Sequence, residues 1–224
     1  MSLRNRGHRT AVHHPLFARA YARLGPLADV HGGVRPLRRE LLAGLSGRVI
    51  EIGAGGGLNF AHYPGTVSEV VAIEPEATLR RAARTEAARA EVPVDVVPAV
   101  AEALPVKSEA FDAAVVALVL CSVRDVERAL AELRRVLRPG AELRFFEHVR
   151  AEGRGLRAVQ RAVDRTVWPL LNGGCHTSRD SLAALRDAGF TVERHRRLRV
   201  PPGGVTLPSS PAVLGTARRP ETVA

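Results

Sequence analysis

The stretch Arg48-Val-Ile-Glu-Ile-Gly-Ala-Gly-Gly-Gly57 decides the fold. A strand of buried type runs straight into a loop made almost wholly of glycine. A second apolar segment, Val70-Val-Ala-Ile73, closes on Glu74, twenty-one residues after Gly53. A strand, a glycine turn and an acid at the end of the next strand together describe a nucleotide pocket. Glycine lets the backbone approach the ligand, and the acid accepts from the two ribose hydroxyls.

The spacing then says which nucleotide. A dinucleotide fingerprint places glycines at i, i+2 and i+5. Counted from Gly53 the last position is Leu58, and from Gly55 it is Phe60. A phosphate loop is excluded too, because no Gly-Lys-Ser/Thr follows. The pattern is instead Glu51-x-Gly53-x-Gly55-x-Gly57, with an acid on the strand itself. A carboxylate there repels a pyrophosphate and suits a ligand that carries an ammonium group and no phosphates.

With these residues in place, the chain resembles the class I S-adenosylmethionine (SAM)-dependent methyltransferases. The resemblance implies SAM as the cofactor, with Gly53, Ala54, Gly55 and Gly57 passing close to its methionine moiety. It implies Glu51 as acceptor for the ammonium, directly or through water, Asn59 as partner of the carboxylate, and Glu74 with Pro75 at the ribose. Glu51 and Asn59 also have plain readings, as a surface strand acid and a helix-start polar residue. An acid closing an apolar strand, such as Glu74, has no packing reason to be there.

The chain has 224 residues, 46% of them hydrophobic and 4% aromatic, so one domain with a core of Ala, Val and Leu is expected. No apolar run approaches the ~20 residues needed to span a bilayer, and the basic N-terminus lacks the apolar stretch of a signal peptide. Two cysteines, Cys121 and Cys175, make no disulfide framework, so a reducing cytoplasm is the default expectation. Neither shows a companion ligand at metal spacing, Cys175-His176 being an isolated pair, and no metal is expected. The net charge of +10 is almost all arginine, since Lys107 is the only lysine. A pI near 11.2 favours anionic partners. Nucleic acid is disfavoured, because the basic residues are dispersed with few aromatics to stack bases.

A cap and tail over residues 1–45 precede a methyltransferase unit over 46–224, with no domain boundary or internal repeat within. Residues 1–14 read as loose and basic. A helix is expected from Pro15 to Leu24, ended by Gly25-Pro26, and a second from Val34 to Ala43. Strands near 48–52, 69–74, 94–98, 111–118 and 141–147 alternate with helical patterns near 57–62, 76–90 and 125–138. The last of these stops at Pro139-Gly140. Strand character returns at 190–200 and 212–217. The proline-rich connection over 201–211 is either a lid or slack. The expected fold is α/β and Rossmann-like: a seven-stranded, mostly parallel sheet with the last strand antiparallel, helices on both faces and an N-terminal helical cap.

Ala99-Val-Ala-Glu-Ala-Leu-Pro105 resembles the adenine-side segment of ubiquinone-type methyltransferases. The aspartate usual in that family is Val100 here, so the resemblance shifts adenine recognition to Ala101, Glu102 and backbone groups. Leu118-Val-Leu-Cys-Ser122 should face the methyl group, with Leu118 at the cofactor and Cys121 either a small apolar filler or part of the acceptor pocket. Further downstream, Leu120-Cys-Ser-Val-Arg124, Phe146-Glu-His-Val149, Trp168-Pro-Leu-Leu171, Gly174-Cys175 and Thr177-x-Arg179 resemble the methyltransferase-like 7 group of thiol S-methyltransferases. Members of that group carry an N-terminal membrane segment, which this sequence is not expected to share.

Glu147 and His148 end the fifth strand, where ligands of open α/β folds collect. They are the candidate catalytic pair, His148 being either a general base for the incoming acceptor or a strand-end cap. Arg154 to Leu170 reads as one amphipathic helix, with Arg154, Arg157, Arg161 and Arg165 on one face and Leu156, Val159, Val163 and Val167 on another. It either covers the substrate cavity or rests on an anionic membrane surface. Phe17, Tyr21 and Trp168 are candidate pocket walls, unless the first two simply pack the sheet edge. The expected acceptor is a small lipophilic molecule, a thiol by resemblance. N- or O-methylation of a lipid- or quinone-like acceptor is the alternative, as is a SAM-binding interaction protein without turnover. Nothing bears on oligomeric state.

Overall fold

The fold is taken from a computed structural model that describes residues 14–202 and 206–221. The basic tail over 1–13 and positions 203–205 of the proline-rich connection lie outside the described residues. Seven strands form one sheet: β1 (Gly47–Ile52), β2 (Val67–Ile73), β3 (Val94–Val97), β4 (Phe111–Ala117), β5 (Leu137–His148), β6 (Thr191–Arg199) and β7 (Pro211–Arg218). Their order is β3-β2-β1-β4-β5-β7-β6. The pairs among β1 to β5 are parallel, whereas β7 runs antiparallel to both β5 and β6. The strand order reverses between β1 and β4, and in open α/β sheets a ligand crevice forms at the carboxyl ends on either side of that point.

The helices are α1 (Pro15–His31), α2 (Arg35–Leu42), α3 (Ala77–Ala87), α4 (Val126–Val136), α5 (Arg154–Val163), α6 (Trp168–Leu171) and α7 (Ser181–Asp187). The period-2 alternation of the strands sorts two cores. Ile50, Ile52, Val71, Ile73, Val116 and Phe145 pack against Leu130 and Leu133 of α4 and Leu182 of α7. Val49, Val70, Ala72, Val115 and Phe146 pack on the other face, against Leu41 and Leu42 of α2 and Ala83 of α3. Glu51 and Glu74 continue the second series, so both carboxylates emerge on the α2 side. Glu147 and His148, adjacent in sequence, must diverge to opposite faces.

Four sequence expectations are corrected. Helix α1 does not end at Gly25-Pro26 but continues to His31. Pro26 forfeits one backbone bond, and the far half of the helix is held instead by Asp29, which accepts from Arg38 of α2 at 2.7 Å. The pattern over 57–62 is only a 3-10 turn at Phe60–His62, because positive φ at Gly55 and Gly57 bars helical entry. Pro139-Gly140 is no stop. Helix α4 ends at Val136, and both residues lie in the irregular start of β5.

The helix expected over 154–170 is broken into α5 and α6. Pro169 lacks the N–H that would continue it, and Asp164, just past α5, turns its carboxylate to the backbone and hydroxyls of Thr177 and Ser178. The expected apolar face is buried only in part, at the half-buried Leu156 and Val163. Val159 and Val167 are exposed, whereas Gln160 is fully buried and bonds the backbone of Val149, Ala151 and Pro208.

Candidate active site

Beyond β1 the chain turns at Gly53, whose φ of +64° is strained for any residue with a side chain. A Cβ there would also sit 2.5 Å from Val119. Glu74 ties the loop in place: its Oε2 accepts from the Gly55 amide at 2.8 Å and its Oε1 from the Glu76 amide at 2.8 Å. Each oxygen keeps a lone pair, which suits it to a pair of vicinal hydroxyls. Burial pushes the Glu74 carboxyl up to about 7, against the pull of those two amides.

Glu51 is buried and already engaged on both oxygens, by Asn59 Nδ2 at 2.8 Å and the Tyr63 hydroxyl at 2.7 Å. Burial pushes it, too, up to about 7, opposed by those two hydrogen bonds and by the Arg38 charge. Asn59 in turn accepts from Arg38 Nη1 at 2.8 Å. A buried chain of groups, Asp29–Arg38–Asn59–Glu51–Tyr63, therefore links α1 and α2 to the glycine loop. Arg38 also lines an open cavity, and its Nη2 has no partner among the described residues. Sequence reading missed Asp29, Arg38 and Tyr63. Arg38 is hidden among the neighbouring arginines Arg35 and Arg39, but Tyr63, one of two tyrosines in the chain, was an available signal.

That cavity encloses about 550 Å³. Its wall is mostly apolar: Phe17 and Tyr21, stacked with ring centroids 5.5 Å apart, with Leu24, Leu58, Leu118 and Leu171. Leu118 holds a φ of +62° just past β4, its N–H bonded to the Phe146 carbonyl at 2.7 Å. Of the four expected pocket residues, Phe17 and Tyr21 line this cavity, whereas Cys121 and Trp168 do not. Trp168 opens α6, which contributes Leu170 and Leu171, and its Nε1 is buried without a partner among the described residues.

Ala101 is buried after β3, and Glu102 accepts from the amides of Arg124 and Asp125 at 3.0 and 3.2 Å, stitching this loop to the start of α4.

At the ends of β4 and β5 the arrangement is different. Glu147 is fully buried and accepts from the amides of Val119 at 2.8 Å and Leu120 at 3.0 Å, with Cys121 N at 3.4 Å. Burial pushes it up to about 7 against those amides. Its oxygens are committed to the loop backbone, which makes it a positioning group for Cys121. His148, on the opposite face, brings Nδ1 to 3.8 Å from Cys121 Sγ and 3.5 Å from Cys175 Sγ. Its Nε2 makes no hydrogen bond among the described residues.

The expectation that neither cysteine has a companion ligand is thus corrected. Cys121, His148 and Cys175 converge, with ligand atoms all within 4.8 Å of one another. Their separation along the chain hid this. Burial would lower the His148 pKa, but its hydrogen bond to Cys121 and the neighbouring charges outweigh that and raise it. The Cys121 thiol is pushed well up by its contact with Cys175 and by burial.

Residues 50–145 match the family model described as a methyltransferase domain. The chain is 35% identical over 164 residues to the human thiol S-methyltransferase TMT1A, covering 71% of this chain and 67% of the relative. It is 33% identical over 182 residues to human TMT1B, covering 79% and 73%. It is also 32% identical over 139 residues to the ubiquinone/menaquinone biosynthesis C-methyltransferase UbiE of Syntrophotalea carbinolica, covering 60% and 58%. Among solved structures it resembles the [4+2]-cyclase SpnF, with a TM-score of 0.68 at 20% identity over 95% of this chain and 98% of that one. A methyltransferase in complex with the Haloferax volcanii Trm112 activator gives 0.69 at 15% identity over 94% and 100%. Those two likenesses carry the fold alone, and the cyclase shows that this fold does not dictate one reaction. The glycine cradle, the free lone pairs of Glu74 and the unpartnered nitrogen of Arg38 fit the cofactor of this family. Together with the identity to the curated enzymes they lead to one conclusion: the chain belongs to the class I SAM-dependent methyltransferases.

Proposed function

We propose that this enzyme methylates a small lipophilic acceptor, a thiol in first place. The observation that carries the reading is the apolar cavity of about 550 Å³ walled by α1 and α6, which reaches Leu118 at the end of β4. Apart from Asp29, Arg38, Asn172 and the Tyr21 hydroxyl its lining is apolar, which suits an apolar acceptor. The sulfur assignment is supported by the relatives named thiol S-methyltransferases.

When bound, SAM supplies a methyl group already activated on a sulfonium centre. The chain's own residues then have to position, dry and deprotonate. Glu74 takes the ribose hydroxyls, the 53–57 loop passes its backbone along the methionine end, and Arg38 with Asn59 holds the carboxylate. Glu51 acts through Asn59 and Tyr63. Phe17, Tyr21 and Leu118 exclude water from the acceptor's approach. His148 accepts the acceptor's proton at Nε2, its ring held by Nδ1 against the two cysteines. Orientation of reacting groups is worth ~7–11 kcal/mol of barrier, a positioned base a further ~10²–10⁴-fold, so placement outweighs proton transfer.

A lipid- or quinone-like acceptor is the second reading. The exposed Leu16 and Leu170 at the cavity mouth favour it, at 76% and 70% exposure. The same rim, with the exposed Arg154, Arg161 and Arg165 nearby in sequence, suits peripheral contact with an anionic lipid surface. No helix among the described residues is long and apolar enough to cross a membrane. Two free cysteines are in keeping with a reducing compartment such as the cytoplasm.

Mass spectrometry separates the readings. Protein is incubated with methyl-deuterated SAM and lipophilic thiols, phenols and amines of matched shape. A deuterated methyl thioether with equimolar S-adenosylhomocysteine is expected. Methylation of the phenol or amine with the thiol returned intact would move the assignment to the second reading.

A further inference from the structure

Cys121 follows β4, His148 ends β5 and Cys175 sits in the loop after α6, yet the three ligand atoms lie within 4.8 Å of one another. A tetrahedral ion with metal–sulfur bonds of about 2.3 Å and a metal–nitrogen bond of about 2.0–2.1 Å sets sulfur and nitrogen roughly 3.5–3.6 Å apart. The observed sulfur–nitrogen separations are 3.8 and 3.5 Å. We infer that Cys121, His148 and Cys175 form a three-ligand site for a borderline-soft divalent ion, zinc in first place, whose fourth position takes an exogenous thiolate or water.

The surroundings build this site rather than merely permit it. Glu147 fixes the loop on which Cys121 stands. The His176 amide donates to the Cys121 carbonyl at 2.8 Å. Arg179 Nη1 donates to the carbonyls of Leu120 at 2.7 Å and Val123 at 2.6 Å, and the Ser181 hydroxyl to the His148 carbonyl at 3.3 Å. Asp164 holds Thr177 and Ser178 through four hydrogen bonds. Gly174, with φ of +90°, admits no side chain, since a Cβ would meet the Ser122 carbonyl oxygen at 2.9 Å. Ligands clamped from both sides in this way are pre-organised.

The donor set chooses the ion. Two sulfurs and an imidazole without a carboxylate select zinc-like over magnesium- or calcium-like ions. Binding M²⁺ displaces the two thiol protons to solvent and leaves two thiolates around a divalent cation. With water in the fourth position the loaded site is then electrically neutral, which favours its burial; an exogenous thiolate adds one negative charge that methylation to the thioether removes. Three protein ligands and one open position are the form of a catalytic rather than a structural zinc site. Only the identity of the fourth ligand rests on the acceptor reading above. With an ion present, His148 is a ligand, and a bound acceptor thiol loses its proton by coordination instead of to the imidazole.

The test uses tag-free protein kept reduced with a phosphine, stripped of metal and titrated with Co²⁺. Expected are one equivalent bound, a thiolate-to-cobalt charge-transfer band, the visible bands of tetrahedral cobalt, and bleaching by Zn²⁺. Cys121→Ser and Cys175→Ser should each weaken binding about a hundredfold or more, with SAM calorimetry confirming that the variants fold. Zinc should also protect both cysteines of the wild-type protein from alkylation, a readout that needs no variant. Absence of the thiolate band, its persistence in the double serine variant, or alkylation indifferent to zinc would overturn the site. A cobalt band without thiol methylation would keep the site and remove the thiol acceptor. Thiol methylation by stripped protein that shows no band would do the reverse.

Discussion

At the end of β2, Glu74 accepts amide hydrogens from Gly55 and Glu76; at the end of β5, Glu147 accepts them from Val119 and Leu120. Both carboxyls are buried, and burial lifts both to about 7. In each place an acid at a strand end tethers a loop. The difference is what remains. Glu74 keeps a free lone pair on each oxygen at the edge of the glycine loop, which leaves the acid able to meet a ligand itself. Glu147 is entirely enclosed, with 0% exposure, and its effect passes to the Cys121 it positions and to the His148 beside it. One device leaves acceptor capacity free at the end of β2 and is spent as scaffolding at the end of β5.

The comparison breaks most easily at Glu74. Glu74→Ala should cost about a hundredfold in SAM affinity by calorimetry, since two charge-assisted hydrogen bonds at ~1.5–3 kcal/mol each are at stake and partly offset by water. Thiol reactivity at the far strand ends should not change. Glu147→Gln should do the opposite, leaving the SAM dissociation constant within about twofold and lowering kcat about tenfold, because a loop misplaced by a fraction of an ångström spoils alignment. If Glu147→Gln weakens SAM binding as much as it slows turnover, the division between the two ends is wrong.

A smaller effect lies in pH. Glu51, Glu74 and Glu147 each move from an ordinary 4.5 up to about 7. Folding therefore favours their protonated forms. Their contribution to the stability of the ligand-free protein is fully present below about 4.5 and is lost as pH rises through about 7. SAM binding should have the opposite slope, tightening a few-fold across the same window as Glu74 becomes the better acceptor for hydroxyls. Denaturant melts and calorimetry from pH 5.5 to 8.5 would check both signs, and Glu74→Gln should flatten the binding profile. The smallest effect expected is at the surface. Arg154→Ser with Arg161→Ser should reduce sedimentation with anionic vesicles modestly and leave methyl transfer to a soluble acceptor unchanged.

These two strand ends also differ in how far they can be read from sequence. The glycine spacing and Glu74 lie within one strand–turn–strand stretch from β1 to the end of β2, so this loop and its acid are legible from local pattern. Helix α4 was equally plain, because Asp125, Leu130, Leu133 and Val136 report a cap and a buried face directly. The cluster at the ends of β4 and β5 is assembled from residues 121, 148 and 175, which only the fold brings together. Likewise Arg38 reaches Asn59 and Asp29 through tertiary packing, with nothing local to mark it. The helix over 154–170 was misread for a related reason. Its hydrophobic periodicity is real, but tertiary bonds to Gln160 and Asp164 decide which side is buried.

One measurement goes to the centre of the account: SAM affinity and single-turnover methylation of a lipophilic thiol, determined together for His148→Ala. Expected are a SAM dissociation constant within about twofold of wild type and a rate lowered about a hundredfold. A variant that keeps more than half the wild-type rate, or loses SAM binding in step with rate, would contradict the account.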